Sequence, residues 1–186
     1  MYLSSVVREA LHLLTLSGLI IPVKHTDGTG LPLGAEEDVR YTKYLFFDVG
    51  VMQTMLDVPA SSTLMASDVD FVNKGGVSEM FAGQEMIKYR DCLQKPEMYY
   101  WQNTVKGSST EVDYLRVRNG SVLPIEVKAN TQGSMQSLWI FMRMRKLNKA
   151  IRTSLENFGQ FDYYDPKENF EQRHVDILPL YSLSNL

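Results

Sequence analysis

The 186-residue chain holds a single cysteine, Cys92, and that scarcity removes several classes at once. One thiol can build neither a disulfide framework nor a zinc knuckle, and the composition fits a reducing cytoplasm. No His/Asn arrangement is evident around Cys92, so a buried or semi-buried thiol is its default reading. No apolar run reaches the length of a membrane span, and no membrane partner is expected. The opening residues, MYLSSVVREA, are polar and acidic where a signal peptide needs an apolar core, which argues against export by that route. A basic surplus is also missing. Nineteen Lys and Arg against 22 Asp and Glu leave a net charge of −3, so there is no overall cationic footprint for nucleic acid, while a local one stays open. A P-loop is absent: GTGLPLG (28–34) lacks the lysine and the spacing of Gly-x4-Gly-Lys-Ser/Thr and reads as a wing-like loop. No nucleotide site is therefore expected in this chain. There is no internal repeat and no low-complexity tract.

What is present is enough apolar material for a core, 44% of the residues, in a length that suits one moderate domain or two small ones. Leu3, Val7, Leu11 and Leu14 recur at helical spacing with Gly18 just after, which predicts an amphipathic helix over 3–17. A short strand over 18–23, a polar loop over 26–38 and a β-rich aromatic run over 39–50 follow. Helix, strand, long loop and strand suggest a small winged-helix-like α+β part over 1–75; a plain α+β subdomain fits as well. Residues 57–75 are mixed and polar, and a boundary is placed at Gly75–Gly76. The second part, 76–186, reads as a helix from Val77 to about Tyr89, a strand at 97–101, a hairpin at 111–129, a helix capped by Ser134, and strands at 149–155 and 175–181 joined by a polar, aromatic loop.

The hairpin carries the chemistry. Asn119-Gly120 between two alternating runs is a strong two-residue turn signal. With Arg118 and Ser121 as the closing pair, Val117 opposes Val122, Leu115 opposes Pro124, Asp113 opposes Glu126 and Glu111 opposes Lys128. Period-two alternation then puts these residues on one face, with Val112, Tyr114, Leu123, Ile125, Val127 and Ala129 on the other. Directly opposed Cβ atoms lie roughly 4.5–5.5 Å apart, so Asp113 and Glu126 would bring two carboxylates to one cation. Like charges so close raise each other's pKa unless neutralised, and hard oxygen ligands favour Mg2+ or Mn2+. Lys128, two residues beyond Glu126, could steer or deprotonate a water. Carboxylates, metal and lysine are the equipment of metal-assisted phosphodiester hydrolysis. The plainer reading is a solvated strand with cross-strand ion pairs, which suits Glu111 opposite Lys128 but not two facing acids.

A strand bearing Asp113 followed by Ile-Glu126-Val-Lys128 resembles the PD-(D/E)XK nuclease superfamily. The segments YYW (99–101), EVDYL (111–115), LPIEVKA (123–129) and LPLYSL (178–183), with KYLFFDVG (43–50) and GGVSEMFAGQEMI (75–87), resemble something narrower. They look like the domain of unknown function 4143, found at the C-terminal end of many bacterial and archaeal ATPases of the AAA+ type. The resemblance implies a restriction-endonuclease-like α/β core, a mixed sheet with helices on both sides. It implies metal ligation by Asp113 and Glu126, a catalytic role for Lys128, and a further acid on the preceding helix. Glu79 fits that place best and Glu85 second; a solvated helix acid favoured by the dipole is the competing account of Glu79. The proline of the superfamily's name is absent, because Val112 precedes Asp113. The chain is thus expected to be the C-terminal part of a larger ATPase, with that ATPase domain and DNA as partners. The expected activity is metal-dependent cleavage of DNA. The competing expectation is an inactive module that binds DNA or protein, since fold membership does not establish cleavage.

Arg143, Arg145, Lys146, Lys149 and Arg152 crowd together after the Trp139 helix. They read either as a phosphate-contacting patch beside the hairpin or as a solvated helix end. His12, His25 and His174 are too scattered for a metal cluster. Trp101, Trp139 and the aromatic loop FDYYD (161–165) read as packing, and the methionines as core filler.

Overall fold

The computed structural model describes residues 4–57, 74–88, 91, 93–105, 107, 109–128 and 134–186. The polar stretch 58–73, Cys92 and Ala129 lie outside them.

Helix α1 (Ser5–Leu16) opens on Ser4, whose Oγ accepts the Val7 N–H, and closes before Gly18, which takes φ 75°. That left-handed conformation is the helix stop glycine permits. Strand β1 (Ile20–Thr26) pairs antiparallel with β2 (Glu37–Phe46). Asp48 then caps a short helix α2 (Val49–Met55), its Oδ1 accepting the Val51 N–H at 3.0 Å. The run expected to be β-rich to residue 50 thus ends earlier, with Val49 and Gly50 in the first turn of that helix. Next come α3 (Lys74–Lys88), β3 (Met98–Gln102), β4 (Glu111–Arg118), β5 (Ser121–Glu126), α4 (Gln136–Arg145), β6 (Lys149–Ser154), β7 (Gly159–Asp165) and β8 (Glu171–Pro179).

The eight strands form one mixed sheet in the order β2-β1-β3-β4-β5-β6-β8-β7. β1 runs parallel to β3, and β6 runs parallel to both β5 and β8; the other neighbours are antiparallel. The strands of residues 20–46 thus share a sheet with those of 98–179. Each face carries a core. One gathers Met80, Ala82 and Met86 of α3 with Tyr100, Tyr114, Leu123, Ile125 and Ile151. The other gathers Leu138, Phe141 and Met142 of α4 with Trp101, Val112, Leu115, Val122 and Ala150. The result is the expected α/β architecture, a mixed sheet flanked by helices. No helix among the described residues is long and apolar enough to cross a membrane.

Two expectations are corrected. The aromatic run 161–165 is not a loop but part of β7, which pairs with a β8 that begins at Glu171. The alternation of half-buried Phe161 and Tyr163 with exposed Asp162 and Tyr164 is that of an edge strand. Pro179 ends β8, and residues 180–185 continue as a 3-10 turn rather than as strand.

Candidate functional site

The hairpin turn is as the sequence dictates. Asn119 and Gly120 take φ 52° and 74°, and the ladder runs in the expected register from Arg118–Ser121 to Tyr114–Ile125. Beyond that pair the strands part. The Asp113 carboxylate takes over there, its Oδ2 accepting the Val127 N–H at 2.7 Å.

On the other side of β4 the register slips. Tyr99 pairs with Leu115 but Trp101 pairs with Val112, so two residues of β4, Asp113 and Tyr114, stand where β3 has only Tyr100. This is a β-bulge, and it corrects the expected face assignment. Val112 and Leu115 both pack on the α4 side, while Tyr114 packs on the α3 side. Strict alternation from Leu115 would send Asp113 and Glu111 towards α4. The bulge turns them towards α3, where Glu79 waits on the helix.

The outcome is a group of three acids. Ligand oxygens of Glu79, Glu111 and Asp113 all lie within 4.8 Å of one another. Lys43, from β2, donates to Glu79 Oε1 and Glu111 Oε1 at 2.6 Å each. Its ammonium stands 4.4 Å from the centre of the Tyr100 ring. The Tyr114 hydroxyl donates to the Glu79 carbonyl at 2.7 Å, tying the helix to the strand at this level. Glu111 therefore pairs with Lys43 and not with Lys128, as cross-strand register had suggested.

Glu126 and Lys128 form a second, adjoining unit. Lys128 Nζ lies 2.7 Å from Glu126 Oε1. Glu126 is only 5% exposed, and its Oε2 has no hydrogen-bond partner among the described residues. Thr153 of β6 accepts the Lys128 N–H at 2.8 Å and donates to the Lys128 carbonyl, which fixes the backbone beneath the lysine. Arg152 sits beside Glu126 in the parallel β5–β6 register and is buried. Glu85, the second-choice helix acid, is buried further along the same helix and pairs with Lys88.

The electrostatics reflect burial first and crowding of like charge second. Burial, then the charges of Glu126 and Glu79, push the Asp113 carboxyl up to about 7, against the Val127 N–H and Lys43. Burial likewise pushes Glu126 up, opposed by the hydrogen bond and charge of Lys128. Burial pulls the Lys43 ammonium down, but Glu79 and Glu111 outweigh it and hold it above its ordinary value. A carboxyl lifted in this way has a large gain to make from a cation.

Of the residues singled out in the sequence, the fold thus groups Glu79 with Asp113; Glu126 and Lys128 pair with each other outside that group of three, and the Glu126 charge acts on Asp113. Sequence reasoning missed Lys43. The available signal was alternation: Leu45 is in the core, Tyr41 packs against it, and Lys43 shares their face of β2. The basic run does not form one patch. Arg143 is held by Asp165, Arg145 Nε donates to the Asp27 carbonyl, Lys146 ends α4 in a left-handed conformation, and Lys149 is exposed. The histidines lie apart: His12 on exposed α1, His25 buried between Tyr41 and Tyr100, His174 between Asp162 and Asp176.

A family model described as a domain of unknown function (DUF4143) matches residues 74–183, more than half of the chain. No curated protein and no solved structure was found to match.

Proposed function

Since the chain belongs to the DUF4143 family, whose description assigns no activity, we propose from the geometry that it is a metal-dependent nuclease-like domain acting on DNA. The observation that carries this reading is the buried Glu126 oxygen without a partner among the described residues, together with an Asp113 carboxyl that burial, then the charges of Glu126 and Glu79, lift to about 7. A buried polar atom left unpaired costs about 1–3 kcal/mol and calls for an explanation. A hard divalent cation held by Asp113 with Glu126, and flanked by Glu79 and Glu111, supplies one. The donor set is all oxygen, which suits Mg2+ or Mn2+. When bound, such an ion polarises a phosphodiester and lowers the pKa of a water.

The chain's own residues do the rest in this reading. Lys128 is positioned by Thr153 and by Glu126, and orients the attacking water or shields the developing charge. Asp113 is anchored by the Val127 N–H, so its free oxygen points from a fixed carboxylate. Contacts to DNA in this reading run through the phosphate backbone and carry no sequence preference. The restriction-endonuclease-like core and the place at the C-terminal end of an AAA+ type ATPase rest on sequence resemblance.

One observation favours a second reading. Lys43 already bridges Glu79 and Glu111, and Lys128 pairs Glu126, so the same fold could serve as an inactive module that binds DNA or protein. Plasmid nicking in Mg2+ or Mn2+ separates the two. The nuclease reading expects cleavage by the wild type and a loss of about a hundredfold or more in Lys128→Ala. Equal cutting by both proteins, or none by either, refutes it.

A further inference from the structure

We propose that the open edge of β7 is a self-association surface: it pairs antiparallel with β7 of a second copy of this chain, about a two-fold axis at Tyr163, and joins the two sheets into one. The inference stands apart from the metal reading, because β5, β6 and β8 lie between β4 and this edge.

β7 ends the sheet, and no strand lies beyond it among the described residues. The pairing on its inner side shows which backbone groups are open. The His174 N–H donates to the Asn148 carbonyl at 2.7 Å, away from β7 and towards β6. Asp162 stands opposite His174. In an antiparallel ladder such a pair is a non-hydrogen-bonded one, so Asp162 turns its own N–H and C=O to the outer edge. Period two gives Gln160 and Tyr164 the same orientation, and all three residues are exposed. An edge of this kind is a template for another strand, and proteins ordinarily blunt it with charge, lysine above all, with proline or with a bulge. The opposite edge of this sheet is protected in that way. β2 carries Glu37, Asp38, Arg40 and Lys43, and its register with β1 is broken by a bulge at Lys24 and His25. β7 has neither lysine nor proline, and its register with β8 runs unbroken from Gly159–Ile177 to Asp165–Glu171.

The edge is complementary to itself. Antiparallel self-pairing sets outward residues against outward residues, so an axis near the middle of β7 falls at Phe161, Asp162 or Tyr163. At Asp162 it would oppose that carboxylate to its own copy, which like charge disfavours. At Tyr163 it sets Asp162 opposite Tyr164 of the second copy on both sides of the axis, so no like charges meet, and each such pair exchanges two backbone hydrogen bonds. The same axis brings Tyr163 against its copy. Tyr163 already stacks on Trp139 of α4, with ring centres 4.2 Å apart and planes 15° from parallel, so aromatic meets aromatic on that face. An axis at Phe161 leaves Tyr164, which is 55% exposed, outside the pairing. Phe158 and Phe170, 60% and 66% exposed, stand at the two ends of β7, and exposed aromatic side chains of this kind are enriched at protein–protein contacts. The charges of β7 itself are Asp162 and Asp165, the second held by Arg143 and Arg173. An edge of that sign suits neither nucleic acid nor an anionic membrane.

The test is sedimentation equilibrium of the whole chain over a concentration series, comparing wild type, Tyr164→Pro, Tyr164→Asp and the double variant Asp162→Lys, Tyr164→Asp. The wild type should show a reversible monomer–dimer equilibrium with Kd below about 0.5 mM. Tyr164→Pro removes an outward N–H without touching the ladder to β8, and should raise Kd about tenfold or more. Tyr164→Asp sets like charges opposite Asp162 of the second copy and should raise Kd about fivefold or more. The double variant makes those pairs opposite in charge and should dimerise about fivefold more tightly than Tyr164→Asp alone. A wild type with a weaker equilibrium or none overturns the proposal, and binding of this edge to some other protein would then be the alternative. A dimer unchanged by Tyr164→Pro or by Tyr164→Asp also overturns it, because the contact would lie elsewhere. So does a double variant no tighter than Tyr164→Asp, because the pairing about Tyr163 would be wrong. Should Tyr164→Pro show no cooperative melting transition, the charge variants, which change exposed side chains, decide in the same terms.

Discussion

Replacing Asp113 by asparagine should stabilise the metal-free protein at alkaline pH. The carboxyl is lifted from its ordinary 3.8 to about 7 by burial and by the charges of Glu126 and Glu79. That rise is roughly three pH units, and at about 1.4 kcal/mol each it amounts to about 4 kcal/mol of penalty for keeping the group ionised in the fold. The sign follows from proton binding. Between the unfolded-state pKa near 4 and the native value near 7, the native state holds the proton that the unfolded chain has released. Stability therefore falls with rising pH across that window and is level above it. Asparagine removes the penalty, keeps an oxygen for the Val127 N–H, and gives up about 1 kcal/mol because that bond no longer involves a charge. The net gain is about 3 kcal/mol at pH 8, or roughly 6–12 °C in melting temperature for a chain of this size. At pH 5 most of the wild-type penalty is gone and the two proteins should melt within about 1 kcal/mol of each other. Thermal melts in EDTA across pH 5–8 measure this. A variant that melts lower than wild type at pH 8, or a gap independent of pH, would refute the account of crowded acids.

The hydrogen bond to Asp162, with a second to Asp176, raises the His174 pKa, so the β7–β8 hairpin should lose amide protection as pH rises through that elevated value, above 6.5, and His174→Gln should abolish the dependence. Equal protection factors at pH 6 and pH 8 in the wild type would contradict it. A Cβ at Gly83 would overlap Leu45 Cδ1 and lie 2.6 Å from the Tyr114 hydroxyl, so Gly83→Ala should cost about 1–3 kcal/mol in chemical denaturation and disturb the tie between Tyr114 and Glu79. Asp165 is fully buried between Arg143 and Arg173; Asp165→Ala leaves two cations without it and should cost about 3–5 kcal/mol, whereas a loss under 1 kcal/mol would mean the pair relaxes into solvent.

The parts legible in the sequence are those set by local rules. Asn119-Gly120 fixes the hairpin because both positions need positive φ, and the ladder register then follows by counting. Ser4 and Gly18 bound α1 for equally local reasons. The bulge at Asp113 and Tyr114 left no such mark. EVDYL alternates without a glycine, and the slip exists only relative to β3, which is a tertiary partner. Alternation alone therefore placed Asp113 on the face of Leu115 and Glu111 opposite Lys128. β7 reads as a loop in the sequence because its exposed positions, Gln160, Asp162 and Tyr164, are those of a sheet edge. Lys43 was invisible as a partner of Glu79 and Glu111 because 36 and 68 residues separate them, and only closure of the sheet through β1 and β3 brings them together.

Anomalous scattering from crystals soaked in Mn2+ addresses the central claim most directly. The account predicts one peak at coordination distance, roughly 2.0–2.6 Å, from an Asp113 oxygen, with Glu126 or the Glu79–Glu111 pair completing the shell and Lys43 still in contact with at least one acid. A site without a peak at saturating Mn2+, with Lys43 still bridging Glu79 and Glu111, would contradict it and leave the acids as a structural ion-pair network.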